Sequence, residues 1–211
     1  MSSHISDTVQ EQESVATGAF DPLHELFVAQ TSRPAHWGEI NLRALTPFQR
    51  ALLMIDGTVT KFIEAYTLEP VEIIRLSQVT QPLPEDHLWL NAPQGTSVIA
   101  REVLLRSRYG RAPLAHAISL IVPERLQGAV KQALDLDGQG LGRILFESQI
   151  ETRRELLWYG KERPQRLPED LRHLADREFL ARTYRIIACG QPIMLINEKF
   201  APIGDRLPSH H

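Results

Sequence analysis

Two pairs of strand-like segments, each joined by a short turn, limit the fold of this sequence more than any other feature. Ser97 to Leu105 and Leu114 to Val122 are rich in branched apolar residues and flank a turn at Tyr109–Pro113. Residues 179–188 and 193–200 repeat this arrangement near the C-terminus. Each pair predicts an antiparallel hairpin.

Helical patterns fill much of the chain between the predicted strands. Thr46-Pro47 is typical of a helix start, because a capping hydroxyl precedes proline at the first helical position. Further strands are predicted from Val71 and from Ile150. The predicted helices cover Phe20–Gln30, Thr46–Asp56, a piece from Thr58, Pro123 to about Leu134, and Leu141–Phe146. Strands joined by short turns, with helices grouped between them, predict an α+β fold with an antiparallel sheet.

Length and composition are those of a globular protein. The 211 residues, 43% of them apolar, suit a single domain at 19–205 after a flexible polar tail at 1–18. The formal net charge of −3 gives no reason to expect nucleic acid or an anionic membrane as a partner. The sequence has neither an apolar run of transmembrane length nor the apolar core of a secretory signal. We therefore expect a soluble cytoplasmic protein.

The sequence also lacks the common signatures of metal and cofactor sites. Its single cysteine, Cys189, lies in an apolar stretch and is interpreted as a small core residue rather than a nucleophile. The eight histidines show no metal-ligand spacing. Neither a Walker loop nor a dinucleotide fingerprint is present. We therefore expect no metal and no organic cofactor.

Two charged residues interrupt apolar strand faces. Arg101 shares a face of its predicted strand with Ile99, and Glu198 shares one with Ile196. A buried arginine needs a partner, and its planar fork suits a carboxylate. A carboxyl group among apolar residues is hydrogen-bonded or has a raised pKa. An outward-facing arginine and a solvated strand-end carboxylate explain the same pattern.

A further candidate for ligand binding is the start of the helix predicted from Leu141. This helix follows Gly138-Gln139-Gly140 directly, and the free backbone N–H groups of such a start can bind an anion. An ordinary glycine turn that caps an ordinary helix explains the local pattern equally well.

Taken in order, these segments resemble the chorismate pyruvate-lyase (4-hydroxybenzoate synthase) family in its more divergent branch. The resemblance covers residues 45–202 and rests on an ordered set of short motifs, each weak by itself. The motifs are Ala51–Leu53, Asp56–Lys61, Arg101–Leu105, Gly110–Pro113, Val122-Pro123, Leu141–Phe146, Thr152-Arg153, Tyr184–Ile186, Gly190–Ile196, Glu198 and Phe200–Pro202.

The resemblance implies a fold and a reaction. The fold is one antiparallel sheet with helices on one side and helical flaps over an internal ligand cavity. The reaction is the elimination of pyruvate from chorismate to give 4-hydroxybenzoate, without metal or organic cofactor, because aromatisation supplies the driving force. The product's usual destination is quinone biosynthesis, as for ubiquinone or plastoquinone.

The resemblance also implies site residues. Arg101 matches the arginine that grips the ring carboxylate, and Glu198 matches the glutamate beside the ring hydroxyl. We assign both to catalysis, with Glu198 also as the donor that protonates the departing oxygen. Leu141 and Val59 fall where the family contacts its ligand through the backbone.

One departure from the family concerns the second carboxylate of chorismate. Some members carry a further arginine on the strand after the first hairpin turn, but residues 114–120 contain none. His116 and Ser119 are the polar groups available there, and Arg182 or Arg185 could approach from another strand.

Two alternatives to chorismate lyase activity remain at this point. One is a non-catalytic effector-sensing domain of the same fold. The other is a lyase for a related chorismate-derived ether. The residues before position 45 are too acidic and irregular for a DNA-binding helix-turn-helix, which weighs against a transcription regulator.

Overall fold

The described part of the chain forms one antiparallel sheet of six strands. The computed structural model describes residues 21–23, 25–134, 140–164 and 167–201. The strands are β1 (Val71–Pro82), β2 (Ser97–Ser107), β3 (Pro113–Ile121), β4 (Arg153–Glu162), β5 (Phe179–Ala188) and β6 (Gln191–Phe200). Their order across the sheet is β1-β2-β3-β6-β5-β4.

Both predicted hairpins are confirmed. β2 pairs with β3, and β5 pairs with β6 across the turn at Cys189-Gly190. That turn is tight because both of its central residues have positive φ, 49° at Cys189 and 75° at Gly190. β3 also pairs with β6, which places Ser119 opposite Ile196 and joins the two hairpins into one sheet.

Within the described residues, four α-helices pack against one face of the sheet. They are α1 (Pro47–Met54), α2 (Val59–Thr67), α3 (Gly128–Leu134) and α4 (Leu141–Glu147). One core cluster contains Leu53, Ile63, Val130 and Ile144 from these helices together with Ile196 of β6. The predicted α+β class, with helices to one side of an antiparallel sheet, is confirmed.

The start of α1 forms as its sequence predicts. The Thr46 hydroxyl accepts a hydrogen bond from the Gln49 backbone N–H at 3.2 Å, and the Gln49 side-chain oxygen accepts one from the Thr46 N–H at 2.9 Å. This reciprocal arrangement is a capping box, with Pro47 at the first helical position. The capping box stabilises the start of α1, and the chain continues from the end of this helix toward α2.

Irregular segments cover the opposite face of the sheet. Trp37 is buried there and packs with Leu157 and Trp158 of β4. A second cluster lies under the loop that follows β1, where Leu83 and Leu90 are buried. Both faces of the sheet are therefore shielded, but only one of them by α-helices.

The short helix predicted over residues 20–30 is wrong. The described residues of this segment form turns, and Val28 and Ala29 donate backbone hydrogen bonds of 3.0 Å to the carbonyls of Leu156 and Leu157. β4 is an edge strand, so its outer carbonyls are available as partners. This long-range pairing outweighs the local amphipathic pattern.

The helix predicted from Pro123 to Leu134 is broken in two. A 3-10 turn at Pro123–Arg125 gives way to extended backbone at Leu126 before α3 begins at Gly128. The Arg125 guanidinium donates to the carbonyls of Leu90 and Pro192, both at 2.6 Å, which holds this turn against the sheet.

Cys189 is not the core residue that the sequence predicted. It is exposed at the β5–β6 turn. The apolar stretch before it belongs to β5, which ends at Ala188. The apolar residues that suggested burial are therefore part of β5, whereas Cys189 itself lies just beyond the strand.

Some predictions fall outside the described residues. They include the N-terminal tail at 1–18 and the residues Gly138 and Gln139. The domain limits 19–205 also stay a prediction. Among the described residues, no helix has both the length and the apolar character needed to span a membrane.

Replacing Thr46 by Ala should lower the free energy of unfolding by about 1 kcal/mol, because it removes one half of the capping box. Urea denaturation measures this change. Thr31→Ala, at an exposed position, is the matched control and should leave stability nearly unchanged. Equal stability of the two variants would contradict a role for the cap.

Candidate active site

A small cavity lies between the helical face of the sheet and two covering segments. These segments are residues 57–60, at the start of α2, and residues 140–142, at the start of α4. The cavity has a volume of about 60 Å³, and every strand of the sheet contributes to its lining. Val103, Leu105 and Ile186 are among its apolar walls. Apolar walls with a few convergent polar groups are typical of a small-molecule site.

Five of the six site residues predicted from the sequence line this cavity. They are Arg101, Glu198, Val59, Leu141 and Ser119. Strand alternation explains why the side chains meet, since Arg101 lies opposite Ser119 and Ser119 lies opposite Ile196 on the same face of the sheet.

Arg101 is 2% exposed and lies on β2. Its neighbours on the same face, Ile99 and Val103, are apolar, and Val103 lines the cavity with it. Such a position is expensive for a cation unless polar groups compensate it. The outward-facing alternative for Arg101 is therefore excluded.

Glu198 is 8% exposed and accepts hydrogen bonds at both carboxylate oxygens. The Arg182 Nε donates to one oxygen at 2.9 Å, and the Tyr184 hydroxyl donates to the other at 3.1 Å. Burial, and then the Glu198 charge, raise the pKa of Tyr184, so its hydroxyl stays protonated as a donor. The solvated alternative for Glu198 is therefore excluded.

Arg182 connects this carboxylate to the helices. Its guanidinium donates to the backbone carbonyls of Leu53 at 3.0 Å and Ile55 at 2.9 Å, at the end of α1. It also lies over the Tyr184 ring, 5.0 Å from the centroid. Arg182 thus holds the turn that leads into the covering segment 57–60.

Arg101 and Glu198 stand apart across the cavity. They are separated by two strand spacings, from β2 through β3 to β6, and by two residues along the strands. This offset places their Cα atoms roughly 12 Å apart. Side chains that reach inward from such positions can bind the two ends of one aromatic ring.

The two covering segments contact each other closely. A Cβ atom on Gly142 would lie 2.9 Å from the Thr58 Cγ2, and one on Gly140 would lie 2.5 Å from the Ile73 Cδ1. The two glycines therefore let the start of α4 approach the start of α2 and the sheet closely, and a larger residue at either position would require Thr58 or Ile73 to shift.

His116 is the one predicted site residue that the structure does not bring to the cavity. It lies three residues before Ser119 on β3, so its side chain points to the opposite face. There its Nε2 lies 2.7 Å from a Glu102 carboxylate oxygen. Burial lowers the pKa of His116, and the hydrogen bond to Glu102 opposes this shift.

The two alternative arginines also do not offer a free cation to the cavity. Arg182 is paired with Glu198, as described above. Arg185 lies on the opposite face, where its Nε donates to Glu155 at 2.7 Å and its guanidinium donates to the Trp89 carbonyl.

Polar residues that line the cavity but were not predicted as site residues include Arg154 and Tyr184. The sequence Arg153-Arg154-Glu155 mixes charges in a way that is typical of a solvated surface. Two adjacent arginines at the start of a strand point to opposite faces, however, so one of them had to face the helices. The described residues contain no group of three or more His, Cys, Asp or Glu side chains arranged to hold a metal ion.

Replacing Arg182 by Leu should lower the free energy of unfolding by about 3–5 kcal/mol, because it leaves the buried Glu198 charge without its cation. The double variant Arg182→Leu/Glu198→Leu should recover much of that loss in urea denaturation. Arg172→Leu breaks an exposed pair with Glu169 and is the control, with little effect. A double variant no more stable than Arg182→Leu would contradict this account.

The fold should lose stability as the pH falls below about 6.5, the ordinary pKa of histidine. Because the pKa of His116 is lowered in the folded protein, the unfolded chain binds a proton at a higher pH than the folded protein does. Acidification therefore favours unfolding, and the loss of stability is complete once the pH has fallen below the folded pKa. His116→Gln should reduce the drop in melting temperature between pH 7.5 and pH 5.5. His173→Gln, at an exposed position, is the control, and an unchanged drop in His116→Gln would refute the assignment.

Comparison with known proteins shows which family this chain belongs to. The family model described as "Chorismate pyruvate-lyase Rv2949c-like" matches residues 53–207. The chorismate pyruvate-lyase of Mycobacterium tuberculosis is 30% identical over 165 residues, covering 75% of this chain and 82% of that protein. The Mycobacterium leprae chorismate pyruvate-lyase is 28% identical over the same length, covering 75% of this chain and 76% of that protein.

A solved structure shows the same fold at low identity. The effector domain of PhnF from Mycobacterium smegmatis superposes with a TM-score of 0.53 and 13% identity, covering 69% of this chain and 89% of that one. At this identity the likeness extends to the fold alone. The family match and the mycobacterial relatives identify this chain as a member of the chorismate pyruvate-lyase family.

Proposed function

We propose that the protein is a carbon–oxygen lyase that converts chorismate to 4-hydroxybenzoate and pyruvate. The observation that supports this most is the placement of a buried arginine and a buried glutamate on two strands of one cavity with apolar walls. Membership of the chorismate pyruvate-lyase family supports the same reaction.

Arg101 binds the ring carboxylate of the substrate in this proposal. Its planar guanidinium can donate two parallel hydrogen bonds to a carboxylate. The backbone at Val59 and Leu141, in the two covering segments, lies on the cavity and adds donors in the same way as the family resemblance implies. Ser119, directly opposite Arg101 on β3, offers a further hydroxyl.

Glu198 holds the ring hydroxyl as an acceptor. A carboxylate has about four lone-pair positions, so it can accept a bond from the ligand beside those from Arg182 and Tyr184. Both carboxylate oxygens of Glu198 act as acceptors, one toward Arg182 and the other toward Tyr184. We therefore assign Glu198 a positioning and electrostatic role, in place of the proton donor suggested by the sequence.

The bond changes balance without any external reagent. The C–H bond at the ring carbon that bears the hydroxyl breaks, and so does the ether C–O bond at the neighbouring carbon. The electron pair completes the aromatic ring, and the enolpyruvate that leaves takes up the proton and becomes pyruvate. The carboxylate on the ether side chain acts as the base. The 4-hydroxybenzoate formed would supply quinone biosynthesis.

The direct test is incubation of the purified protein with chorismate, without added metal, and quantification of both products by chromatography. Equal amounts of 4-hydroxybenzoate and pyruvate are expected. Saturable binding of 4-hydroxybenzoate without turnover would instead support an effector-sensing domain. Turnover of a related chorismate-derived ether, but not of chorismate, would identify a different substrate.

Arg101→Ala should weaken ligand binding by about 3 kcal/mol or more, because it removes the cation that holds the ring carboxylate. Glu198→Gln keeps the shape of the side chain and should lower kcat more than it raises KM. Steady-state kinetics separate the two effects. Glu102→Gln, next to Arg101 on the opposite face, is the control, and a loss of activity equal to that of Arg101→Ala would contradict the assignment.

A further inference from the structure

The inner cavity adjoins a larger groove on the outside of the covering segments. The groove has a volume of about 740 Å³ and runs between the starts of α2 and α4. Four residues, Gly57, Thr58, Gly142 and Arg154, line both spaces. They form the neck that separates the cavity from the groove.

Arg154 is the cation of this neck. It lies near the start of β4, opposite Ile186 of β5, and its side chain is 15% exposed. Its guanidinium donates to the backbone carbonyl of Asp56, in the segment that leads into α2. Arg154 therefore spans the neck from the sheet to the covering segment.

The charge of Arg154 is only weakly compensated. The Asp56 carboxylate lies 4.0 Å away and is 81% exposed, so water screens this pair. The Nε of Arg154 is buried and donates to none of the described residues. A buried donor of this kind is costly unless a ligand or water accepts its hydrogen bond.

The neighbouring cations of the outer groove are engaged elsewhere. Lys61 pairs with Glu64 at 2.8 Å, and Arg143 pairs with Glu147 at 2.6 Å, both on the solvent side of their helices. Arg154 thus combines a position on the cavity, a buried donor and weak pairing.

We infer that Arg154 binds the second carboxylate of the substrate, the one on the ether side chain. This inference rests on the proposed lyase function and names the residue that selects a dicarboxylate. Arg101 and Arg154 extend from β2 and β4, which are four strand spacings apart, about 19 Å along a flat sheet. Glu198 is on β6, midway between these two strands in the sheet order. The cavity face therefore offers two cations for two carboxylates and one acceptor for the hydroxyl.

The same placement orients the proposed base. One oxygen of the side-chain carboxylate binds the guanidinium, and the other remains to take the ring hydrogen. Arg154 therefore positions the base, and its loss should affect kcat as well as KM.

The test compares Arg154→Gln with the parent protein for a dicarboxylate and a monocarboxylate. Arg154→Gln should raise KM for chorismate about ten- to a hundredfold, because a charge-assisted hydrogen bond is lost. The inhibition constant of 4-hydroxybenzoate, which has only the ring carboxylate, should change less than threefold. Arg154→Lys should restore part of the chorismate affinity.

Arg153→Gln is the matched control, because Arg153 is exposed, pairs with Glu155 and points away from the cavity. It should behave like the parent for both ligands. Thermal melting shows whether Arg154→Gln is folded. If it is not, the same comparison of chorismate with 4-hydroxybenzoate is made with Arg154→Lys. An equal loss of affinity for both ligands, or no loss for chorismate, would overturn the inference.

Failure of the proposed lyase function can be distinguished from failure of the role of Arg154. If the parent protein does not turn over chorismate, calorimetry gives the dissociation constants of chorismate and 4-hydroxybenzoate directly. A selective loss of chorismate binding in Arg154→Gln would then uphold the role of Arg154 although the reaction is absent.

Discussion

The buried pair of Arg182 and Glu198 is the interaction on which both the fold and the site depend. Bringing two charges out of water costs several kcal/mol for each ion, so the pair persists only because further hydrogen bonds compensate it. Tyr184 supplies one of these bonds, and the carbonyls of Leu53 and Ile55 supply the others. The residue that fixes the proposed hydroxyl acceptor therefore also fixes the end of α1, from which the chain enters the first covering segment.

Alternation along the strands divides the polar residues of this sheet into two groups with different roles. Arg101 and Ser119 face the helices and the cavity, whereas Glu102 and His116 face the other way and pair with each other. On that opposite face the His116 Nε2 pairs with Glu102, and the effect of His116 is on the pH dependence of stability. Chemical type alone would have placed the histidine in the site. Its position along β3 places its side chain on the opposite face instead.

Much of the fold and half of the site geometry follow from local patterns in the sequence. The two hairpins and the Thr46 cap depend on short-range rules, and these predictions are confirmed. The inward position of Arg101 among apolar neighbours follows from alternation along its own strand. The segment 20–30 depends instead on the free edge of β4, about 130 residues away, which no local pattern reveals. Arg154 was missed because the charged residues around it suggested a solvated surface, although alternation within its strand pointed one of two adjacent arginines inward.

A substrate held at two carboxylates by arginines from distant strands has a consequence for product release. In the proposed reaction, one chorismate molecule would connect Arg101 with Arg154 through the cavity and the neck before the elimination. The reaction cuts the ether bond between the two carboxylates, so each product keeps a single attachment. In the intact substrate, binding of one carboxylate holds the other close to its arginine, which raises the affinity. The two separate products lack this effect, so each binds more weakly. Pyruvate, at the neck, then leaves toward the groove, and 4-hydroxybenzoate remains behind the contact between Thr58 and Gly142 until the covering segments separate.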